Sequence, residues 1–244
     1  MNNYKRPNLG VLGASGYLGK NVCEKAAEIG MPTVDLGRKF ANAEATRNSL
    51  GVIIDAAFPT NKISKQIKSE YMINLRNNLD MANDLNLRYI YIGSYSSHSR
   101  SRSKYGQLKR EAERLVILKG ANILRVGLIT DPVNPKGRYQ QFANISRLLP
   151  FIPVFPVNWC PIFITTLEDF RLEIEKSLVA QKLNTITSVG KAVTFSTLFE
   201  ASSKSTKKFY IPEILMIIGM YFCRLLPLGR FDIVKSILYK EERN

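Results

Sequence analysis

The chain has 244 residues, of which 45% are hydrophobic, so it is long enough to bury a core and lacks the composition of a disordered protein. Lysine and arginine outnumber aspartate and glutamate by 35 to 20, which favours an anionic partner: a phosphorylated small molecule, a nucleic acid or a membrane surface. Three widely spaced cysteines and a single histidine argue against a disulfide framework, a zinc site and a histidine-based catalytic triad.

The first two-thirds of the chain alternate short apolar runs with helical periodicity, which predicts parallel strands joined by crossover helices. Strands are predicted at residues 9–12, 33–36, 52–57, 88–92 and 122–126. Helices are predicted at residues 17–29, 62–86 and 103–119. The fold class is therefore α/β, a Rossmann-type doubly wound parallel sheet. Because residues 38–50 are long enough only for a bare crossover, we expect one strand of the full sheet to be trimmed there.

After residue 126 the sequence changes character. Residues 131–138 resemble a loop, and residues 149–161 contain four prolines, which exclude a long helix and predict a segment covering a ligand cleft. Residues 210–228 are very apolar, but the uninterrupted run from Ile214 to Cys223 has only ten residues, and a spanning helix needs about twenty. We predict a buried helix here, with an amphipathic helix on a membrane surface as the alternative.

A glycine-rich loop follows the first predicted strand directly and opens a predicted helix. A strand, a tight turn and a helix N-terminus together present backbone N–H groups and the positive end of the helix to a pyrophosphate, and side chains at the glycines would block that approach. We therefore predict a dinucleotide-binding loop. Its contact residues are Gly13, Ser15, Gly16, Tyr17, Leu18 and Gly19.

The spacing Gly-x-x-Gly-x-x-Gly resembles the fingerprint of the extended and atypical short-chain dehydrogenase/reductases, a group of nucleotide-sugar epimerases, dehydratases and reductases. The resemblance covers roughly residues 8–130. It implies a nicotinamide dinucleotide as cofactor, with further contacts from Ala56 and Ala57 at the end of a strand. Asn77 stands where a glycine is usual and Val126 where a proline is usual, so some loop contacts are expected to differ.

The end of the second predicted strand indicates which dinucleotide is bound. NAD-preferring members carry an acidic residue there, which holds the ribose 2′-hydroxyl, and in this chain the position falls at Gly37, followed by Arg38 and Lys39. A missing carboxylate and adjacent cations suit a 2′-phosphate, because a guanidinium can bind it in a fork. NADP(H) is therefore favoured over NAD(H), with Arg38 as a contact. Asp35, two residues before Gly37, leaves NAD(H) as the alternative cofactor. A solvated basic turn is the alternative interpretation of Arg38 and Lys39.

A candidate catalytic pair begins the helix predicted at 103–119. Tyr105 and Lys109 are four residues apart and share one helix face, so the ammonium can stabilise a phenolate. Such a pair is common on helix surfaces; its weight here comes from the strand and the serine-rich turn that precede it. In the resembled family a Ser or Thr at the end of that strand orients the reacting oxygen, which implies Ser94. Tyr105 is then expected to transfer the proton, and Lys109 to hold the nicotinamide ribose.

The resemblance implies an NAD(P)-dependent oxidoreductase or epimerase that acts on a secondary alcohol or ketone of a nucleotide-linked sugar, an anionic small molecule. Residues 1–130 would bind NADP(H), and residues 131–244 would form a substrate-binding or lid region. The alternatives are a non-catalytic NADP(H)-binding regulatory protein and a membrane-associated reductase of a lipid-like substrate.

The remaining expectations concern partners and location. No nucleic-acid recognition motif accompanies the positive charge, and no metal site is expected. We expect a monomer or homodimer. Because residues 1–7 lack the apolar core of a signal peptide, we expect a cytoplasmic protein. Peripheral contact with a membrane would accompany the alternative of a membrane-associated reductase.

Overall fold

The computed structural model describes residues 8–37, 49–59, 63–99, 103–154, 162–180 and 183–212. The strands within these ranges are β1 (Asn8–Leu12), β2 (Thr33–Asp35), β3 (Leu50–Asp55), β4 (Arg88–Ser94), β5 (Asn122–Val126), β6 (Leu128–Thr130), β7 (Ile152–Val154), β8 (Ile162–Thr166), β9 (Ile186–Val189), β10 (Lys191–Val193) and β11 (Lys208–Tyr210). The helices are α1 (Tyr17–Glu28), α2 (Lys65–Asp84), α3 (Lys104–Leu118), α4 (Gly137–Leu148), α5 (Leu167–Val179) and α6 (Phe195–Ser202). A single 3-10 turn, Tyr95–Ser97, follows β4.

Six strands form one parallel sheet in the order β2-β1-β3-β4-β5-β9. Val22 of α1 and Phe170 of α5 pack on one face of this sheet, and Leu79 of α2 and Val116 of α3 pack on the other. Because both faces of the central strands are covered, those strands are nearly continuous apolar runs. The doubly wound α/β class predicted from the sequence is confirmed.

The predicted elements of the N-terminal half are present, with ends shifted by at most three residues. Serine side chains fix two of the helix starts: Ser64 Oγ accepts the Ile67 N–H at the start of α2, and Ser103 Oγ accepts the Gly106 N–H at the start of α3. In the described part of the chain β2 is the outermost strand on its side, as a trimmed sheet predicts. Residues 38–48, where a further strand would begin, lie outside the described residues.

The chain after residue 126 forms two small sheets and also adds elements to the large sheet. Strands β10, β8 and β6 form a small sheet, and β7 pairs with β11 beside α4 and α6. In contrast, α5 and β9 return to the large sheet, so the sequence-based division at residue 130 does not follow its edge. Periodicity missed α5 and β9 altogether.

Three expectations for this region can be compared with the structure. The predicted loop 131–138 ends inside α4, which begins at Gly137, and the proline-rich stretch includes β7, while residues 155–161 lie outside the described residues. An apolar helix was expected at 210–228. Its first residue, Tyr210, belongs instead to β11, and residues 213–228 are outside the described residues. Within the described ranges no helix combines the length and apolarity needed to cross a membrane.

Phe170 tests whether α5 belongs to the central core. Its side chain is fully buried against the sheet, so Phe170→Ala should lower the free energy of unfolding by about 3–5 kcal/mol through lost burial and an unfilled cavity. Urea denaturation followed by circular dichroism measures this change. Leu172→Ala on the same helix is the control, because Leu172 is 47% exposed; it should change stability by about 0.5 kcal/mol or less. Equal losses in the two variants would contradict the packing described for α5.

Candidate active site

The glycine loop is folded so tightly that side chains do not fit at two of its positions. Gly13 has φ +77°, and a Cβ there would lie 2.8 Å from the Ala57 backbone nitrogen. A Cβ at Gly19 would lie 2.1 Å from the Gly13 carbonyl oxygen. The turn is closed by the Gly16 N–H, which donates to the Gly13 carbonyl at 3.0 Å. Close backbone approach therefore explains why glycine is required at positions 13 and 19.

The tip of the loop leads into the N-terminus of α1. Ser15 and Gly16 are exposed, and Tyr17 and Leu18 form the first helical turn. Gly16, the residue before the helix, offers no side-chain cap, and the first turn holds no acidic residue. Burial, followed by the nearby Asp131 carboxylate, raises the pKa of Tyr17, so this phenol is neutral. The cradle thus presents backbone N–H groups, with no acidic residue in the first turn of α1, which fits the pyrophosphate of a dinucleotide.

The end of β2 lies beside this loop. The Gly13 N–H donates to the Gly37 carbonyl at 2.8 Å, and Gly37 has φ +63°. Asp35 is exposed, and its Oδ1 accepts the Gly37 N–H at 2.8 Å. The Asp35 carboxylate is therefore engaged by the local turn. Arg38, the predicted contact for a 2′-phosphate, lies outside the described residues.

The segment after β3 joins the glycine loop to the candidate catalytic pair. The Ala56 N–H donates to the Leu12 carbonyl at 3.0 Å, and Ala57 packs against Gly13. The ring of the next residue, Phe58, lies edge-to-face with the Tyr105 ring, with 5.0 Å between centroids. A continuous path of contacts thus runs from the loop through residues 56–58 to α3.

Tyr105 and Lys109 lie on α3 at this same edge of the sheet. Tyr105 is half-buried, whereas Lys109 is only 5% exposed. Lys109 Nζ donates to the Ile92 carbonyl at 2.7 Å and lies 4.3 Å from the centroid of the Phe58 ring. Ligands of open α/β sheets bind outside the carboxyl ends of the strands, and the structure brings the pair and the glycine loop together there.

Ser94 is the last residue of β4 and is buried. Its Oγ accepts the Ser96 N–H at 3.2 Å, which closes the 3-10 turn, and its own N–H donates to Glu113 Oε1 at 3.0 Å. Ser97, also buried, donates its hydroxyl to Glu113 Oε2 at 2.7 Å. The serine-rich turn is therefore fixed onto α3 by one carboxylate.

Sequence reasoning missed Glu113, which organises this end of β4. Its carboxylate is 3% exposed at the side chain and forms an ion pair with Arg125 at 2.5 Å. A Cβ at Gly93 would lie 2.6 Å from Glu113 Oε1, so a glycine there leaves room for the carboxylate. Glu113 is eight residues after Tyr105, which places it on the same helix face and was the available signal.

Asp55, at the end of β3, was also missed. It is 3% exposed, and its carboxylate accepts the Ala57 N–H at 2.9 Å and the Tyr89 hydroxyl at 2.5 Å. Burial raises the pKa of Asp55 to about 6, although the two hydrogen bonds and the charge of Lys109 act in the opposite direction. An acidic residue closing an otherwise apolar strand was the sequence signal for this group.

Comparison with known proteins relates this arrangement to solved structures. No protein-family model and no curated protein sequence matches the chain. The chain is similar in structure to a UDP-N-acetylglucosamine 4-epimerase from Bacillus cereus, with a TM-score of 0.61 and 15% identity over 87% of this chain and 92% of that one. It is also similar to a UDP-glucuronic acid 4-epimerase from Bacillus cereus solved with NAD, with a TM-score of 0.62 and 16% identity over 84% and 87% of the two chains.

A nucleoside-diphosphate-sugar epimerase from Staphylococcus aureus gives a TM-score of 0.61 and 16% identity over 97% of this chain and 92% of that one. These likenesses show the fold: the chain has the Rossmann-type fold of these three epimerases. The resemblance that rested on the glycine spacing is thereby confirmed at the level of the fold.

The buried Asp55 carboxyl makes stability depend on pH in a stated direction. Its pKa of about 6 in the folded chain exceeds the ordinary 3.8, so its contribution to stability is complete below pH 3.8 and is lost as the pH rises through 6. A difference of about 2 pKa units corresponds to about 3 kcal/mol. The free energy of unfolding of the wild-type protein minus that of Asp55→Asn should therefore fall by about this amount between about pH 4 and about pH 7.

Urea denaturation of the two proteins at intervals across this range measures the difference. The two proteins share all their other titratable groups. The contributions of those groups therefore cancel in the difference, which reports on Asp55. Parallel curves for the two proteins would show that Asp55 titrates in the folded chain as it does in the unfolded one.

Proposed function

We propose that this protein is an NAD(P)-dependent oxidoreductase or epimerase that acts on a secondary alcohol or ketone, with NADP(H) favoured over NAD(H). The observation that carries the proposal is the contact path from Gly13 through Ala57 and Phe58 to Tyr105 and Lys109. This path supports the proposal because the reaction would need a phenol and an ammonium at the sheet edge where the loop would hold a dinucleotide.

A nucleotide-linked sugar is the proposed substrate class. The structural neighbours named above are epimerases of such sugars, and one of them was solved with NAD. A diphosphate-bearing substrate also suits a chain with a formal net charge of +15.

The residues that would hold the dinucleotide are those of the loop and its neighbours. Gly13 and Gly19 permit the tight turn of the loop, and the first-turn N–H groups of α1 would face the pyrophosphate. Ala56 and Ala57 would line the adjoining wall, and Arg38 would bind the 2′-phosphate. When bound, the dinucleotide supplies the exchange of a hydride with the substrate carbon.

The chain itself would move the proton. In the reducing direction Tyr105 donates its phenolic hydrogen to the substrate oxygen as that oxygen gains charge, and Lys109 stabilises the phenolate that results. Ser94 Oγ already accepts a backbone N–H, so its own hydrogen can be donated to the same substrate oxygen. The Lys109 ammonium, which donates to the Ile92 carbonyl, would also donate to the nicotinamide ribose.

The proton-transfer role predicts that Tyr105→Phe separates binding from turnover. Wild-type protein at 100 times the dissociation constant of NADPH should gain about 2.7 kcal/mol of stability, seen as a rise in melting temperature, and the variant should keep this rise. Its turnover of nucleotide-linked sugars, followed by nicotinamide absorbance, should fall about 100-fold or more. Tyr210→Phe is the control, because Tyr210 is 74% exposed, and it should behave as wild type. Undiminished turnover by Tyr105→Phe would exclude this mechanism.

The proposed cofactor preference depends on Arg38. Loss of a charge-assisted hydrogen bond to the 2′-phosphate should weaken NADPH binding about 10- to 100-fold in Arg38→Ala and leave NADH binding unchanged. Fluorescence titration with both dinucleotides measures the two affinities. Arg76→Ala, which removes the same charge from the face of α2 that carries Lys65 and Lys68, is the control and should preserve both. A variant with an unaltered ratio of the two affinities would show that Arg38 does not select the 2′-phosphate.

A further inference from the structure

A buried carboxylate lies beside the candidate catalytic pair and takes no part in the chemistry proposed above. Asp55 closes β3, and its side chain faces the layer of α2 and α3 together with that of Tyr89. Both carboxylate oxygens accept a hydrogen bond, one from the Ala57 backbone and one from the Tyr89 phenol. A buried charge of this kind is costly unless it is paired and hydrogen-bonded, so its surroundings explain why the fold tolerates it.

The hydrogen bond to Ala57 fixes the course of the chain into Phe58. Ala57 packs its backbone against Gly13, and the Phe58 ring lies both under the Lys109 ammonium and against Tyr105. Ordering this turn therefore orders the surface on which the ammonium rests. A second ring, that of Tyr91, lies 4.6 Å from the same ammonium.

Three elements present titratable groups around Asp55. These groups are Tyr89 and Tyr91 from β4, Tyr71 from α2 and Lys109 from α3. Tyr105 and Glu113, also on α3, act on Tyr71. Burial raises the pKa of each of Tyr71, Tyr89 and Tyr91 well above its usual value, so these three phenols stay neutral. Glu113 is held by Arg125 and by the serine-rich turn. Tyr91 is the register partner of Asp55 in the neighbouring strand, and its ring lies 4.6 Å from the Lys109 ammonium, so the carboxylate and the ammonium lie on the same face of the sheet.

We propose that Asp55 is a positioning residue for Lys109: its ionised carboxylate is the counter-charge that keeps the buried ammonium over the Phe58 ring, at the place where the nicotinamide ribose is to bind. This inference rests on the proposed function. Asp55 acts through Lys109 and Ala57 and does not touch the reacting atoms.

The physical reason is the cost of removing one charge from a buried pair of opposite charges. When one member of a buried pair loses its charge, the other either becomes neutral or moves toward water. Asn at position 55 keeps an oxygen for the Ala57 N–H but removes the charge. Protonation of Asp55 removes the same charge, and its pKa of about 6 places this change just below neutral pH. Acidified wild-type protein and Asp55→Asn should therefore share one weakened state.

The test is NADPH affinity as a function of pH, measured by nicotinamide fluorescence on the full chain. At about pH 8 Asp55→Asn should bind NADPH about tenfold more weakly than wild type, and at about pH 5 the two should converge. The matched control is Glu111→Gln, which removes one carboxylate from α3 at a half-buried position paired with Lys68, and it should follow wild type at both pH values. Titration of the cofactor's 2′-phosphate affects all three proteins alike, so the ratio of affinities isolates Asp55.

A second variant keeps the test decisive if Asp55→Asn does not fold. Tyr89→Phe leaves the carboxylate in place but removes a hydrogen bond that lowers its pKa. The acid-side loss of NADPH affinity should then begin at a higher pH than in wild type. The inference is overturned if Asp55→Asn equals wild type at about pH 8, or if Tyr89→Phe leaves the pH profile unmoved.

The proposed function has its own, separate point of failure. If wild-type protein binds neither NADPH nor NADH, that function fails and the role of Asp55 fails with it. If wild type binds and Asp55→Asn binds equally well, the role of Asp55 alone is refuted.

Discussion

The close approach of two backbone segments, Gly13 and Ala57, is the constraint on which the candidate site depends. A side chain at position 13 would lie within 2.8 Å of the Ala57 nitrogen and Cα, so the end of β1 and the end of β3 can meet only through a glycine. This contact fixes the position at which the glycine loop leaves the end of β1. It also fixes where Phe58 begins, and through Phe58 the surface that faces Tyr105 and Lys109. Contacts within the close-packed interior transmit such a constraint over several residues, because few voids are left to absorb it.

A second carboxylate supports the site from the other side. Glu113 joins α3 to the end of β4 through the Ser94 N–H and the Ser97 hydroxyl. Because Tyr105, Lys109 and Glu113 recur at four-residue spacing, one helix face carries the candidate chemistry and its anchor together. A displacement of α3 would therefore move all three groups as a unit and would preserve their mutual geometry.

The N-terminal elements were predictable because their helices repeat apolar residues over several turns and alternate with short apolar runs. Strand β5 was predicted with its observed bounds, and α2 differs by three residues at its start and two at its end. The short strands after residue 126 could not be predicted, since three residues such as Leu128–Thr130 hold no complete alternation. Strand β9 is exposed at alternate positions and receives its place only by pairing with β5, a contact between residues more than sixty positions apart.

The candidate site was predictable to the extent that its residues are close together in sequence. The glycine loop and the pair of Tyr105 and Lys109 are local patterns, and local spacing was sufficient to find them. The roles of Asp55 and Glu113 arise from partners that the fold brings near: Tyr89 is 34 residues from Asp55, and Arg125 comes from a different strand than Ser94. Burial of both acids follows from tertiary packing, which a single sequence does not reveal.

The return of β9 to the large sheet has a consequence for how the chain is made. Until residues 186–189 have left the ribosome, the outer edge of β5 presents unpaired N–H and carbonyl groups, with Ile123 among them. The chain from residue 127 to residue 189 must therefore be synthesised before this edge is closed, although the glycine loop and α3 emerge much earlier. During that interval this edge can pair with extended segments of other chains.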